Sequence, residues 1–228
     1  FTGSTEVGIG ICQRVAARNV RTQMEMGGKN ALIVLADADL DAAVEAARTA
    51  AFTCSGQWCT ATSRVIVEAS VYEAFAEKLI RSVGQLKLGP GHIDGVSFGP
   101  VASAAQKDTA LKAIETATAE GAELLSGGRG HEQVEGCPGH FVEPTVFGQV
   151  GESMALFKEE VFGPVLALSP AADLDEAIRL ANASPYGLSF SVYTANQENA
   201  ARVLDAVEAG MVHHNLHTAV RHPAMPVT

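Results

Sequence analysis

The 228-residue sequence has no run approaching the roughly 20 continuous apolar residues that span a bilayer, so nothing in it reads as a membrane anchor. It has no basic surplus: 16 Lys and Arg stand against 26 Asp and Glu, a net charge of −10. Nucleic-acid binding as a main role is excluded on that ground, because nothing is available to displace the counterions of a phosphate backbone. There is no long run of like charge, no internal repeat and no low-complexity segment. Cysteine is sparse and unpaired in spacing, at positions 12, 54, 59 and 137. A chain of this size needs no disulfide framework, and reduced thiols in a cytoplasmic enzyme are the simpler reading. No basic region followed by an apolar run opens the chain, so no signal peptide is visible, although the first residue is Phe1 and not Met.

What is present is a core-forming composition, 47% hydrophobic, with elements in alternation. The patterning predicts a helix from Thr5 to about Ala17, capped by Ser4 or Thr5. Arg21 to Met26 alternates and reads as a strand. Ala31 to Leu35 is a short apolar run that reads as a buried strand, and Asp39 caps a helix from Leu40 to about Thr53. Further strands are expected at Arg64–Val67, Leu124–Ser126, Val146–Val150, Val165–Leu168, Leu188–Tyr193 and Met211–Leu216. Helices are expected at Val71–Val83, Ser103–Glu120 with Gly121 as cap, Asp173–Ala183, and Gln197–Ala209 ended by Gly210. Gly89–Gly99 and Gly127–Gly139 read as loops. Such alternation means an α/β fold with a mainly parallel sheet flanked by helices.

Two short runs carry chemistry. Cys59 lies in Ser55-Gly56-Gln57-Trp58-Cys59-Thr60, and Glu25 opens Glu25-Met26-Gly27-Gly28-Lys29-Asn30. A thiolate attacks carbonyl carbon readily, and a carboxylate can activate water to clear the resulting covalent intermediate. The bland alternatives are a small buried cysteine and a surface carboxylate at a strand end. The paired glycines after Glu25 speak against the second, since they mark a close backbone approach. Two more runs follow the same order: Phe1-Thr2-Gly3-Ser4-Thr5-Glu6-Val7-Gly8, and Lys158-Glu159-Glu160-Val161-Phe162-Gly163-Pro164-Val165. Gly3 and Ser4 sit at a predicted helix N-terminus, where exposed N–H groups and the helix dipole favour phosphate. The spacing from Gly3 to Gly8 is not a P-loop, because Ile9-Gly10 stands where Lys-Ser/Thr is needed.

The four runs together resemble the aldehyde dehydrogenase family. Glu208-Ala209-Gly210-Met211-Val212 with Asn215-Leu216 is most similar to its semialdehyde dehydrogenases of sugar-acid breakdown, such as ketoglutaric semialdehyde dehydrogenase. The resemblance implies that Cys59 is the nucleophile and Glu25 the general base. It implies a NAD or NADP cofactor, its phosphate at Gly3 and Ser4, its nicotinamide ribose held by Glu160, and its ring packed beside Phe162. It further implies a small-molecule aldehyde or acyl substrate and a homo-oligomer. Residues 1–25 would be a remnant of the nucleotide-binding domain, 26–212 the catalytic domain, and 213–228 a C-terminal segment leading towards a missing tail. The match is to about the second half of a family member, which suggests a fragment or a chain shortened at both ends.

Two alternatives stand beside this reading. A shortened member would use Cys59 and Glu25 without NAD, for acyl transfer, thioester or ester hydrolysis, or a covalent isomerisation. A non-catalytic remnant would bind a partner instead. Lys29 and Asn30 read as structural, and Cys54 as packed towards the core. His213, His214, His217 and His222 crowd the end of the chain. On a continuous strand His213 and His214 point to opposite faces, and His213 to His217 spans roughly 13 Å, so no metal site is expected without a turn.

Overall fold

In the computed structural model, residues 1–220 are described. Nine strands and seven α-helices alternate along them. The strands are β1 (Ala31–Val34), β2 (Arg64–Glu68), β3 (Glu123–Ser126), β4 (Gly130–Val134), β5 (Cys137–Val142), β6 (Thr145–Gly148), β7 (Val165–Ala171), β8 (Ser189–Tyr193) and β9 (Met211–His214). The helices are α1 (Thr5–Ala16), α2 (Leu40–Phe52), α3 (Tyr72–Val83), α4 (Ala104–Ala119), α5 (Ala155–Lys158), α6 (Leu174–Asn182) and α7 (Gln197–Ala206).

Seven strands form one sheet in the order β3-β6-β7-β2-β1-β8-β9, and every pairing in it is parallel except β3 with β6. The two-sided burial of the centre is written in the sequence. β1 is Ala-Leu-Ile-Val with no polar residue, because helices cover both faces of a parallel sheet. Leu32 and Val34 face α2 and α3, in a core with Ala47, Phe52, Phe75 and Leu79. Ala31 and Ile33 face the other layer, with Ala110 and Ile114 of α4, Phe157 of α5, Leu180 of α6 and Val203 of α7. Among the described residues, no helix is long and apolar enough to cross a membrane.

The mainly parallel α/β architecture agrees with the sequence pattern, and the departures have local causes. Arg21 to Met26 is not a strand. It makes only an isolated bridge, Thr2 with Glu25, since no neighbouring strand among the described residues continues the ladder. The Gly127–Gly139 segment is not a plain loop. It contains most of a two-stranded hairpin, β4 with β5, turned by Glu135 and Gly136 at φ 50° and 75°. The primed-type turn is carried by Glu-Gly, a weaker signal than Asn-Gly. α5 escaped notice because four residues hold too little periodicity to read. α7 stops at Ala206, where Val207 turns extended (φ −82°, ψ 138°), and does not reach Gly210. α4 ends as expected at Gly121, which takes φ 92° while Ala122 N–H bonds back to the Ala117 carbonyl.

Candidate active site

The segments preceding β1, β2 and β7 converge at the amino ends of the parallel strands. The cysteine segment is the most contorted. After α2, Cys54, Ser55 and Gly56 take φ 52°, 57° and 70° in succession, three left-handed residues in a row. Gly56 is required twice over, since a Cβ there would lie 2.3 Å from the Gly163 carbonyl oxygen. The turn is pinned by the Ser55 hydroxyl donating to the Gly99 carbonyl (2.8 Å) and by Gln57, whose Oε1 accepts from the Ala102 N–H (2.9 Å). It swings Cys54 out to solvent, contrary to the expectation that Cys54 packs inward. Cys59 follows, half-buried, and its carbonyl is held by the Asn30 amide (2.8 Å). The same amide donates to the Ala61 carbonyl (2.9 Å), so Asn30 ties the Glu25 segment to the cysteine segment.

Glu25 is half-buried and fixed through its backbone, donating from its N–H to the Phe1 carbonyl (2.9 Å) and accepting from the Gly3 N–H (3.0 Å). These bonds set the Glu25 segment against the start of α1. Ser4 is the N-cap residue of α1, but its hydroxyl makes no capping bond. The glycine pair answers to Glu160: the Gly28 N–H donates to its carboxylate (3.1 Å), and a Cβ on Gly27 would lie 1.9 Å from it. Burial raises the Glu160 carboxyl pKa, while the Gly28 N–H and the charge of Lys29 act to lower it. Phe162 is 40% exposed and held at φ 52°. The Gln106 amide enforces this by donating to the carbonyls of Val161 (2.9 Å) and Phe162 (3.0 Å). An exposed aromatic in left-handed backbone is a costly arrangement of the kind that gathers at binding sites.

One cleft of about 800 Å³ receives all of these, lined by Gly3, Ser4, Glu25, Cys59, Glu160 and Phe162 along with Trp58 and Gln106. Its volume suits a cofactor-sized ligand. Beneath it lie two buried cations. Arg64 donates to the carbonyls of Lys29, Leu180 and Ala181, with its guanidinium 4.7 Å from the Phe157 ring centre. Burial brings Arg64 down to about 10. Lys29 is fully buried, its amino group has no hydrogen-bond partner among the described residues, and burial with the Arg64 charge brings it down to about 7. Among the described residues, no cluster of three or more His, Cys, Asp or Glu could hold a metal.

A model of the aldehyde dehydrogenase family matches residues 1–228. The chain belongs to the aldehyde dehydrogenase family. It is 44% identical over 219 residues to the α-ketoglutaric semialdehyde dehydrogenase of Bacillus subtilis, covering 96% of this chain and 45% of that protein. It is likewise 44% identical over 214 residues to the 2,5-dioxopentanoate dehydrogenase of Saccharolobus solfataricus, covering 93% of this chain and 44% of that protein. The chain thus spans less than half the length of these relatives. Among solved structures, the NAD-dependent aldehyde dehydrogenase from Sinorhizobium meliloti superposes with a TM-score of 0.94 at 34% identity, over 100% of this chain and 44% of that one. The betaine aldehyde dehydrogenase of Staphylococcus aureus in complex with NAD+ gives 0.92 at 36% identity, over 99% of this chain and 44% of that one.

Asn30 does the structural work expected of it, whereas Gln57 and Gln106 shape the site in ways that the sequence did not disclose. Their work is to hold carbonyls and backbone N–H groups of distant segments, and a glutamine carries no local signature of that task. His222 lies outside the described residues.

Proposed function

We propose that this chain carries the catalytic portion of an NAD(P)-dependent aldehyde dehydrogenase, with Cys59 as nucleophile and Glu25 as general base. The observation that carries the reading is that both line the same cleft as Glu160, Phe162 and the start of α1. Cys59 Sγ attacks the aldehyde carbon to give a thiohemiacetal. When bound, NAD(P)+ would supply the acceptor for the hydride that leaves the adduct carbon as the Cys59 thioester forms. Glu25 then takes a proton from water as the water attacks the thioester carbon, which releases the acid and restores the thiol.

The residues present fit such a cofactor. The Glu160 carboxylate, seated on the Gly27–Gly28 shelf, would accept hydrogen bonds from ribose hydroxyls. Phe162 offers a ring beside the nicotinamide. Gly3 and Ser4 present a 12-residue helix N-terminus to a phosphate. Residues 1–25 would then close a nucleotide-binding domain and 26–212 form the catalytic domain. The semialdehyde dehydrogenases among the relatives favour a short dicarbonyl acid as substrate. A homo-oligomer in the cytoplasm completes the proposal.

The test is NAD(P)H formation by the intact protein with a semialdehyde acid. Turnover should vanish in Cys59→Ala. Glu25→Gln should form the acyl-enzyme, visible by mass spectrometry, but release acid at least about 100-fold more slowly. No NAD(P)H with any aldehyde, or undiminished turnover without Cys59, overturns the reading.

A further inference from the structure

The histidines at the end of β9 are not part of the cleft, yet the structure connects them to the nucleophile. β9 ends at His214, and Asn215, at φ 53°, reverses the chain. The expectation of one extended strand through Leu216 therefore fails, and His217 is returned towards His213. Residues 215–219 run back across the sheet face as a strap. The Ser191 hydroxyl donates to the Leu216 carbonyl, and the Ser189 hydroxyl to the Thr218 carbonyl (2.7 Å). Thr218 is fully buried; its hydroxyl donates to the Thr60 carbonyl (2.7 Å) and lies 2.8 Å from that of Thr62. The strap therefore clasps the residues just after Cys59, while Asn30 holds the Cys59 carbonyl itself.

His213 stands opposite Ser191 in the ladder, on the face that the strap covers. It is only 6% exposed, and its Nε2 is buried with no hydrogen-bond partner among the described residues. The Nδ1 of His217 is in the same condition. Among the described residues, no compensating charge is found around them. The hydroxyls of Ser189, Ser191, Thr60, Thr62 and Thr218 do not titrate in this range, and His214 is tied to the Thr194 carbonyl (3.0 Å). Among the described residues, His217 is the one charge acting on His213, and no carboxylate acts on either ring. Burial holds both rings below the ordinary histidine range. A proton on either ring thus places an uncompensated cation under the strap.

We infer that His213 and His217 are positioning residues for the nucleophile segment: neutral, they let the strap close on Thr60 and Thr62, and on protonation they release it. This rests on the reading of Cys59 as nucleophile. The consequence is a loss of ordered Cys59 below neutral pH that Cys59 and Glu25 do not themselves set.

The test is amide hydrogen exchange of the intact protein at about pH 7.5 and pH 5.5, corrected for intrinsic rates, with alkylation of Cys59 by iodoacetamide followed in parallel. Peptides covering 60–62 and 213–220 should lose protection about tenfold at the lower pH, while β1 and β2 keep theirs. The double variant His213→Gln/His217→Gln should keep the same protection at both pH values, and its Cys59 alkylation should lose the extra pH dependence. Equal protection of the wild type at both pH values, or the same loss in the double variant, overturns the inference. Should that variant fail to fold, histidine NMR of the wild type decides: two rings titrating below the ordinary range support the inference, and rings at or above it overturn it. None of these readouts depends on turnover, so failure of the dehydrogenase reading would leave them legible.

Discussion

Lys29 is the residue whose cost is easiest to state. Its amine is fully buried, and burial together with Arg64 lowers it from 10.5 to about 7. The unfolded chain holds this proton up to about pH 10.5, whereas the folded chain gives it up near 7. Between those values the unfolded state binds more protons, so stability rises with pH across that window. Denaturant midpoints measured at pH 7 and pH 9 should show the rise, and Lys29→Met should flatten it. Gly27 and Gly56 make a contrasting pair. At Gly27 an added methyl would meet the end of the flexible Glu160 side chain. Gly27→Ala should therefore cost under about 1 kcal/mol of stability while displacing the carboxylate, read as weaker NAD binding by fluorescence titration. At Gly56 the methyl would meet backbone, the Gly163 carbonyl, and φ is 70°. Gly56→Ala should cost about 3 kcal/mol or more, read as a shifted urea midpoint. The glycine pair after Glu25 was legible in the sequence as a close approach. Its target was not, because Gly28 and Glu160 are 132 residues apart.

At the scale of elements, the sequence was most informative where one face or both are buried. β1 and β2, α2 with its Asp39 cap, and α3 all match their patterns, since burial there forces the residue type. The Asp39 carboxylate does accept from the N–H groups of Asp41 and Ala42 (3.1 Å each). Reading failed where burial weakens. The β4–β5 hairpin carries His131, Glu132 and Gln133 in one strand, so no alternation marks it. The structure shows what it rests on: Lys107 of α4, nearly buried, donates to the His131 carbonyl (3.0 Å) and to Glu132 (2.6 Å). Lys107→Met should loosen the hairpin without harming the sheet, seen as faster amide exchange confined to 130–142.

At the scale of the molecule, the site sits where its topology is unusual. Open α/β sheets commonly bind ligands at the carboxyl ends of their strands. Here the segments bearing Glu25, Cys59 and Glu160 all lead into strands, so the cleft lies at the amino ends. Periodicity shows that such strands exist but not which end of them is used. The family motifs supplied that, which is why Cys59 and Glu25 were legible together and the strap was not. The exposed apolar side chains of Phe1, Val7, Ile9 and Val20 lie on and beside α1. Light scattering of this 228-residue chain alone should give a mass above 23.7 kDa, and Val7→Lys with Ile9→Glu should lower it.

The span between Thr60 and Thr218 has a consequence for synthesis. Thr218 is 158 residues downstream of the carbonyl that it holds. At roughly 5–20 residues per second, the ribosome needs about 8–32 s to deliver it after Thr60. Throughout that interval the strap is incomplete, and β7 and β8 are themselves made only late in it. The Cys59 thiol is therefore exposed to oxidants and electrophiles before its enclosure exists, and nascent chains should be more vulnerable to thiol damage than finished ones.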